Sequence, residues 1–178
     1  MMKRRAEQPQ GTAWVVMGVC ACGKSEIGAR LAQALDAPFI EGDRFHPPEN
    51  VAKMSAGIPL DDEDRRGWLQ ALRAEIERAW KTDPVVVLSC SALKRAYRDV
   101  LRGDGGKGND VRFVHLHGER DLIAQRMAAR SSHFMPLSLL DSQLRTLEPL
   151  QQDERGVTLD LREPPERLVE QALSFPFA

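Results

Sequence analysis

Several features are scarce in this sequence of 178 residues, and each absence argues against a class of protein. It has only three cysteines, an odd number without an export signal, which favours reduced thiols over a disulfide framework. No apolar run reaches the length of a bilayer span, and the basic start MMKRRAEQPQ is not followed by the apolar stretch of a signal peptide. We therefore expect a cytoplasmic protein with no membrane partner.

An excess of charge of one sign is also missing. The chain carries 25 basic and 26 acidic residues, a formal net charge of -1, so no overall field recruits nucleic acid. Any anion must be bound by local groups. The length and the 42% hydrophobic content predict one domain over residues 1–178, in which residues 1–12 form a frayed leader.

Short apolar runs alternate along the chain with longer amphipathic segments. The predicted strands are 13–17, 39–41, 85–89, 111–116 and 157–161. The predicted helices are 24–35, 61–81, 92–102, 119–130, 136–147 and 165–173, and the segment 41–50 (EGDRFHPPEN) is predicted to be a polar loop. The alternation and the mostly apolar strands predict an α/β fold, with a parallel five-stranded sheet covered by helices on both faces.

The stretch 18–25 reads GVCACGKS and lies between the first predicted strand and helix. In the pattern G-x-x-x-x-G-K-S, the glycines let the backbone turn its N–H groups toward phosphate oxygens. The lysine then reaches the outer phosphates and the serine offers a hydroxyl to Mg²⁺. A glycine-rich turn that binds nothing is the alternative. The predicted nucleotide-binding residues are Gly18, Val19, Cys20, Ala21, Cys22, Gly23, Lys24, Ser25 and Glu26, with Ser25 as the metal ligand.

Two residues inside this loop raise further questions. Cys20 and Cys22 cannot complete a tetrahedral zinc site by themselves, so we expect small side chains whose backbones bind. Oxidation of these thiols at a helix N-terminus remains an alternative. Ala21 stands where a left-handed backbone angle would penalise its β-carbon, and such an angle would weaken nucleotide binding.

The rest of the chain narrows the class of phosphate-binding protein. A switch GTPase would carry an N-K-x-D element, and the sequence has none. A motor ATPase would place an acidic residue after a buried strand, whereas the run VVVLSCS ends in Ser89, Cys90 and Ser91. A small-molecule kinase remains.

Four blocks in order carry a resemblance to a known family: GVCACGKS, EGDRFHPPENVAKMSAGIPLDDEDRRGWL, CSALKRAYRDVLR and RSSHFMPLSLLDSQLRTLEPL. They resemble the gluconate kinases (gluconokinases), which are phosphate-loop proteins related to shikimate and nucleoside monophosphate kinases. The resemblance implies ATP- and Mg²⁺-dependent phosphorylation of D-gluconate to 6-phosphogluconate. It also implies a three-layer phosphate-loop NTPase fold, a helical lid near 126–147 and a homodimer.

Candidate site residues follow from this resemblance and from position. Asp43 follows the second strand, where α/β proteins gather ligand groups, and Lys94 and Arg98 stand four residues apart on one predicted helix face. Arg126 and Arg130 stand one turn apart at the start of the predicted lid. Each of these charges has a plain alternative role on a solvated surface. The predicted catalytic residues are Lys24, Asp43, Arg126 and Arg130, and the predicted substrate-binding residues are Asp43, His46, Lys53, Ser91, Lys94, Arg98, His133 and Gln143.

Two other functions stay open on the sequence alone. One is a kinase of another small hydroxy acid, such as shikimate, or of a nucleotide. The other is a nucleotide-binding regulator without catalytic activity. Turnover with ATP across a panel of acceptors separates all three.

Overall fold

Five parallel strands form one sheet in the order β2-β3-β1-β4-β5 in a computed structural model that describes residues 11–103, 109–129 and 136–177. The strands are Gly11–Met17 (β1), Phe39–Glu41 (β2), Val85–Ser89 (β3), Asn109–His117 (β4) and Gly156–Asp160 (β5). All five predicted strands are present, and β1, β3 and β4 are buried along most of their length. The predicted five-stranded parallel sheet is confirmed.

Seven α-helices connect or follow these strands in the described part of the chain. They are Lys24–Leu35 (α1), Pro48–Ser55 (α2), Asp62–Trp80 (α3), Arg95–Arg102 (α4), Arg120–Ala129 (α5), Leu137–Thr146 (α6) and Pro165–Ser174 (α7). Helix α1 packs against α7, and α3 packs against α4. Because parallel crossovers are right-handed, the leftward step through α1 and the rightward steps through α3 and α4 lie on opposite faces of the sheet.

The strand order fixes where a ligand can bind. The chain runs from β1 outward to β2, and later from β3 across β1 to β4, so the direction of winding changes beside β1. In open α/β sheets the crevice at the carboxyl ends of the strands at such a point is the binding site. The loop after β1 and the residues after β2 and β3 meet at that edge.

Two predictions about secondary structure are wrong. The segment 41–50 is not a loop throughout, because a 3₁₀ helix covers Gly42–Phe45 and α2 begins at Pro48, where proline suits a first helical turn. The helix predicted from residue 92 begins only at Arg95. Ala92 has a φ of 46°, which is incompatible with a right-handed helix.

Two other predictions fall partly outside the described residues. Residues 1–10 of the predicted leader lie outside them, and residues 11 and 12 belong to β1. The predicted lid near 126–147 contains residues 130–135, which also lie outside the described part. No helix among the described residues is long and apolar enough to cross a membrane.

Candidate active site

The loop between β1 and α1 has the backbone geometry of a phosphate cradle. Gly18 has a φ of 146°, and a β-carbon there would lie 2.7 Å from the Cys22 sulfur and 2.9 Å from the Leu116 carbonyl oxygen. Gly23 has a φ of 95° and forms the N-cap of α1. The loop therefore turns directly into a helix N-terminus, whose N–H groups and dipole favour phosphate.

Ala21 occupies the left-handed region, with a φ of 61°. An alanine there costs about 1 to 2 kcal/mol more than in a right-handed conformation, because its β-carbon crowds the following carbonyl oxygen. The left-handed angle that the sequence analysis considered for Ala21 is therefore present. The strain belongs to the folded loop itself.

Lys24 folds its side chain back over the loop. Its Nζ donates to the Val19 carbonyl oxygen at 2.8 Å and lies 3.9 Å from the Cys22 sulfur. Burial works to lower the pKa of Lys24, but Cys22 and Asp43 outweigh it, so the pKa is raised above its usual value. The side chain is therefore a cation held beside the cradle.

Glu41, which the sequence analysis missed, joins the loop to the second strand. Its Oε1 accepts from the Ser25 hydroxyl at 2.8 Å and from the Ser89 hydroxyl at 2.9 Å. A motor ATPase was expected to carry an acidic residue after the third strand, whereas Glu41 is the last residue of β2. Because β2 pairs with β3, Glu41 lies directly opposite Ser89.

A cavity of about 770 Å³ opens at this edge of the sheet. One wall is the phosphate loop, including Lys24 and Ser25. The opposite wall is built from the 3₁₀ helix, α2, the segment that follows it, and the start of α3, and α6 contributes along the side. We call these surfaces the phosphate wall and the substrate wall. Both walls lie around one space, so a molecule on the second can meet a phosphate on the first.

Asp43 lies on the substrate wall, two residues after the end of β2. Gly42 brings the chain close to β3, since a β-carbon on Gly42 would lie 2.0 Å from the Ser89 carbonyl oxygen. Trp68 of α3 donates from Nε1 to the Gly42 carbonyl oxygen at 2.9 Å. Among the described residues, no side chain hydrogen-bonds the Asp43 carboxylate, which lines the cavity. It is therefore available to a ligand hydroxyl.

His46 also lines the cavity and is held firmly. Its ring stacks on Trp68, with the ring centroids 4.0 Å apart and the planes 19° apart. Burial lowers the pKa of His46, Asp43 opposes this shift, and Arg65 adds to it. The ring is therefore neutral at pH 7.

Arg65 is the second residue that the sequence analysis missed. It is only 7% exposed, it lines the cavity, and its Nη1 donates to the Tyr97 hydroxyl at 3.0 Å. Within the described ranges, no carboxylate forms an ion pair with it, so most of its N–H donors are available. A buried guanidinium without an anion is costly, and an anionic ligand offsets that cost. Arg65 stands three residues before Trp68 in α3, so both lie on the same helix face, and this spacing could have predicted that Arg65 is buried.

Gln143 and Ser91 both line the cavity beside the phosphate loop. The Oε1 of Gln143, on α6, accepts from the main-chain N–H of Cys20 at 2.7 Å. The Ser91 carbonyl oxygen accepts from the N–H of Gly18 at 3.3 Å. The structure therefore brings Lys24, Ser25, Asp43, His46, Ser91 and Gln143 around one space.

Two predicted cations are engaged outside the cavity. Lys53 pairs with Asp64 at 2.9 Å, and Lys94 pairs with Asp62 at 2.9 Å. The hydrogen bond to the carboxylate raises the pKa of each lysine. Neither side chain lines the cavity.

Arg98 corrects the expectation that it points at one anion together with Lys94. Its side chain is completely buried, and its guanidinium pairs with Glu154 at 2.7 Å. It also donates to the Ala92 carbonyl oxygen at 2.9 Å. Because Lys94 is the N-cap of α4 rather than a helical residue, the two side chains do not share a helix face. Arg98 stabilises the packing of α4.

Of the two predicted lid arginines, only Arg126 lies within the described residues. Arg126 donates from Nη2 to the Leu161 carbonyl oxygen at 2.8 Å and does not line the cavity. Arg130 and His133 lie outside the described residues. Their roles at the phosphoryl group stay predictions.

The remaining residues of the phosphate loop are Val19, the two cysteines and Glu26. Cys22 and Val19 are buried, and Cys20 lines the cavity. Burial raises the pKa of the Cys20 thiol, and it raises that of Cys90 to about 12. All three cysteines are free thiols. Glu26 is exposed in the first turn of α1 and pairs with Arg30 at 3.2 Å.

Comparisons with known proteins agree with this geometry. The family described as Shikimate kinase matches residues 20–170. The thermosensitive gluconokinase of Escherichia coli (strain K12) is 44% identical over 83% of this chain and 77% of its own, and the gluconokinase of Gluconobacter oxydans (strain 621H) is 43% identical over 89% and 88%. The crystal structure of a gluconokinase from Sinorhizobium meliloti 1021 superposes with a TM-score of 0.80 at 48% identity, covering 94% of this chain and 91% of that one. The chain therefore belongs to the shikimate kinase family of phosphate-loop kinases and, by these relatives, to the gluconokinases.

Proposed function

We propose that this protein transfers the γ-phosphoryl group of ATP to D-gluconate and releases ADP and 6-phosphogluconate. The observation that carries the proposal is the placement of buried Arg65, without a carboxylate partner among the described residues, on the cavity that the phosphate loop also lines. Such a cavity takes a phosphate donor at one wall and a second, anionic molecule at the other. The gluconokinase relatives identify that second molecule as gluconate.

The phosphate wall binds the donor. Main-chain N–H groups of residues 21–25, at the N-terminus of α1, surround the phosphates, and Lys24 moves from the Val19 carbonyl to the outer phosphates. These groups act where negative charge shifts during transfer, and they need little reorganisation because the loop is already turned. The N–H of Cys20 is held by Gln143, so α6 is attached to the donor side.

The substrate wall binds the acceptor. Arg65 receives the carboxylate of gluconate in a charge-assisted, bidentate pair, which a planar guanidinium forms well. His46 and Asp43 then meet hydroxyl groups along the chain of the sugar acid. Holding both reactants in one cavity makes the transfer effectively unimolecular.

The chemical step needs only the acceptor hydroxyl and the γ-phosphorus. The terminal hydroxyl oxygen of gluconate forms a bond to the γ-phosphorus while the bond from phosphorus to the bridging β,γ-oxygen breaks. ADP departs with that bridging oxygen. Asp43 orients the hydroxyl and takes its proton, since its carboxylate lies on the cavity and no side chain among the described residues hydrogen-bonds it.

Ser25 and Glu41 fit a magnesium ion. Both present oxygen atoms, the donors that Mg²⁺ prefers, and the Ser25 hydroxyl already lies 2.8 Å from a Glu41 carboxylate oxygen. When bound with ATP, the ion neutralises charge on the β- and γ-phosphates. We propose that Ser25 holds it directly and that Glu41 holds it directly or through water.

A substrate panel tests the proposed activity. Turnover with ATP is measured by coupled ADP release for D-gluconate, shikimate, other sugar acids and nucleoside monophosphates, and ³¹P NMR identifies the phosphoester. We expect the highest kcat/KM for D-gluconate. A higher value for shikimate or a nucleotide would move the assignment to that kinase, and saturable ATP binding without any phosphorylated product would favour a regulator.

The resemblance to gluconokinases also supports a homodimer in the cytoplasm, and we propose both. Light scattering on the purified protein gives the mass in solution, for which we expect twice that of one chain. A mass of one chain at assay concentrations would contradict the dimer. Fractionation of the source cells tests the location.

A further inference from the structure

Asn50 is a buried polar residue of α2 to which the proposed function gives no role. It is 3% exposed, beside the substrate wall. Its Nδ2 lies 2.8 Å from the carbonyl oxygen of Asp64 and 3.2 Å from the Nδ1 of His46. One amide group therefore joins helix α3 to a ring that lines the cavity.

The direction of these two hydrogen bonds is fixed by chemistry. A main-chain carbonyl oxygen can only accept, so the atom beside Asp64 must be the amide nitrogen of Asn50. That nitrogen carries two N–H groups, and the second meets Nδ1 of His46. A ring nitrogen that accepts a hydrogen bond carries no proton. The neutral ring of His46 therefore carries its proton on Nε2.

The rest of the ring leaves Nε2 as the polar atom for a ligand. Trp68 covers one ring face at a centroid distance of 4.0 Å, and Trp68 is itself anchored to the Gly42 carbonyl oxygen. Of the charged groups near the ring, Asp43 belongs to the 3₁₀ helix and Arg65 to α3. The two act on the ring charge in opposite directions, while burial favours the neutral ring. The neutral form is thus the one that meets substrate.

We propose that Asn50 is a positioning residue that fixes the Nε2–H tautomer of His46, so that this ring donates a hydrogen bond to an oxygen of the acceptor substrate. The identity of the acceptor rests on the proposed function. The tautomer does not, because it follows from contacts within the protein. The arrangement selects an acceptor with an oxygen lone pair at that place, such as a hydroxyl or a carboxylate.

Nitrogen NMR tests the tautomer directly. In ¹⁵N-labelled protein at neutral pH, we expect a pyridine-like shift at Nδ1 of His46 and a pyrrole-like shift at Nε2. In Asn50→Asp the donor becomes an acceptor, so Nδ1 should gain a proton. A protonated Nδ1 in the unaltered protein, or an unchanged pattern in folded Asn50→Asp, would overturn the proposal.

Kinetics test the consequence for substrate. In Asn50→Asp and Asn50→Ala we expect KM for gluconate to rise about tenfold, as a misdirected hydrogen bond implies, while KM for ATP changes less than about twofold. Glu49→Gln is the matched control, because Glu49 is an exposed neighbour on α2 and its change should leave both constants alone. An equal rise of both KM values would indicate a merely structural role and count against the proposal.

The outcomes separate this inference from the proposed function. The tautomer pattern in the unaltered protein decides the inference even if neither Asn50 variant folds, and thermal unfolding shows whether they do. If the pattern is as expected but gluconate is not phosphorylated, the proposed function fails and the tautomer assignment stands. If gluconate is phosphorylated but Nδ1 is protonated, the proposed function stands and the tautomer assignment fails.

Discussion

The two walls of the cavity are built in different ways. The phosphate wall comes from eight consecutive residues, 18–25, and acts mainly through its backbone. The substrate wall collects side chains from three successive elements between residues 42 and 80, namely the 3₁₀ helix, α2 and α3. A phosphate chain is the same in every donor, so a backbone cradle suffices for it. A particular sugar acid needs side chains, and these are brought together only by packing.

The largest expected effect comes from breaking the phosphate wall. Lys24→Ala removes the cation that neutralises the transferring phosphoryl group, and kcat should fall by about 10² to 10³-fold or more. Steady-state assays with ATP and gluconate measure it, and circular dichroism should show an unchanged fold. Lys81→Ala, at an exposed position after α3, is the matched control. Full activity in Lys24→Ala would contradict the role given to this lysine.

The substrate wall is broken by Arg65→Met. We expect kcat/KM for gluconate to fall by about 10- to 150-fold, as the loss of hydrogen bonds to a charged group implies, while KM for ATP stays near its original value. Arg66→Met changes an exposed arginine one position along α3 and should have no such effect. Tyr97→Phe removes the hydroxyl partner but keeps the guanidinium, so it should cost less. If Arg65→Met raised KM for ATP instead, the division into two walls would be wrong.

These two walls also differ in how far the sequence predicted them. The cradle could be predicted because Gly18, Lys24 and Ser25 lie within eight consecutive residues, and their spacing is typical of a phosphate-binding loop. Arg65 was missed because the acidic residues before it explain a helix start without any ligand. Glu41 was missed because pairing of β2 with β3, not sequence distance, brings it to Ser25.

The error at α4 has a similar cause. Helical spacing placed Lys94 and Arg98 on one face, but that argument needed a helix from residue 92. The left-handed backbone at Ala92 delays the helix to Arg95 and sends Arg98 into the core. The prediction of the fold class depended on the alternation of strands and helices, so the later start of α4 did not affect it. The predicted direction of the Arg98 side chain depended on where that helix begins, so it was wrong.

A third prediction concerns the core behind the phosphate wall. His115 on β4 is 2% exposed, and its Nδ1 has no hydrogen-bond partner in the part of the chain that the structure describes. Burial, with repulsion from His117, lowers its pKa from 6.5 to about 4. The unfolded chain therefore takes up a proton below pH 6.5, whereas the folded protein does so only near pH 4. Neutral His115 therefore contributes to the free energy of unfolding above pH 6.5, and this contribution is lost as the pH falls toward 4.

We expect the free energy of unfolding to fall by about 2 kcal/mol more between pH 7 and pH 5 in the original protein than in His115→Gln. Urea unfolding at each pH measures it, and the comparison removes the contribution of His46, whose pKa burial also lowers. His117→Gln, at an exposed position on the same strand, removes only the repulsion, so it should reduce this pH dependence less than His115→Gln does. Equal pH dependence in the original protein and in His115→Gln would contradict the assignment.

The smallest expected effect concerns the strain in the phosphate wall. Ala21→Gly relieves the left-handed angle and should raise the free energy of unfolding by about 1 kcal/mol, less the extra chain entropy of glycine. If the angle also weakens nucleotide binding, as expected from the sequence, KM for ATP should fall in the same variant. Ala21→Val should act in the opposite direction on stability. A less stable Ala21→Gly protein would mean that the angle carries no strain.

The central claim is that one cavity holds the phosphates against the loop and the sugar acid against Arg65. A crystal structure with a non-hydrolysable ATP analogue and D-gluconate measures this directly. The account predicts phosphate oxygens on the N–H groups of residues 21–25, the carboxylate on the Arg65 guanidinium, and a terminal hydroxyl between Asp43 and the γ-phosphate. A carboxylate bound away from Arg65, or a hydroxyl too far from the γ-phosphate for transfer, would contradict it.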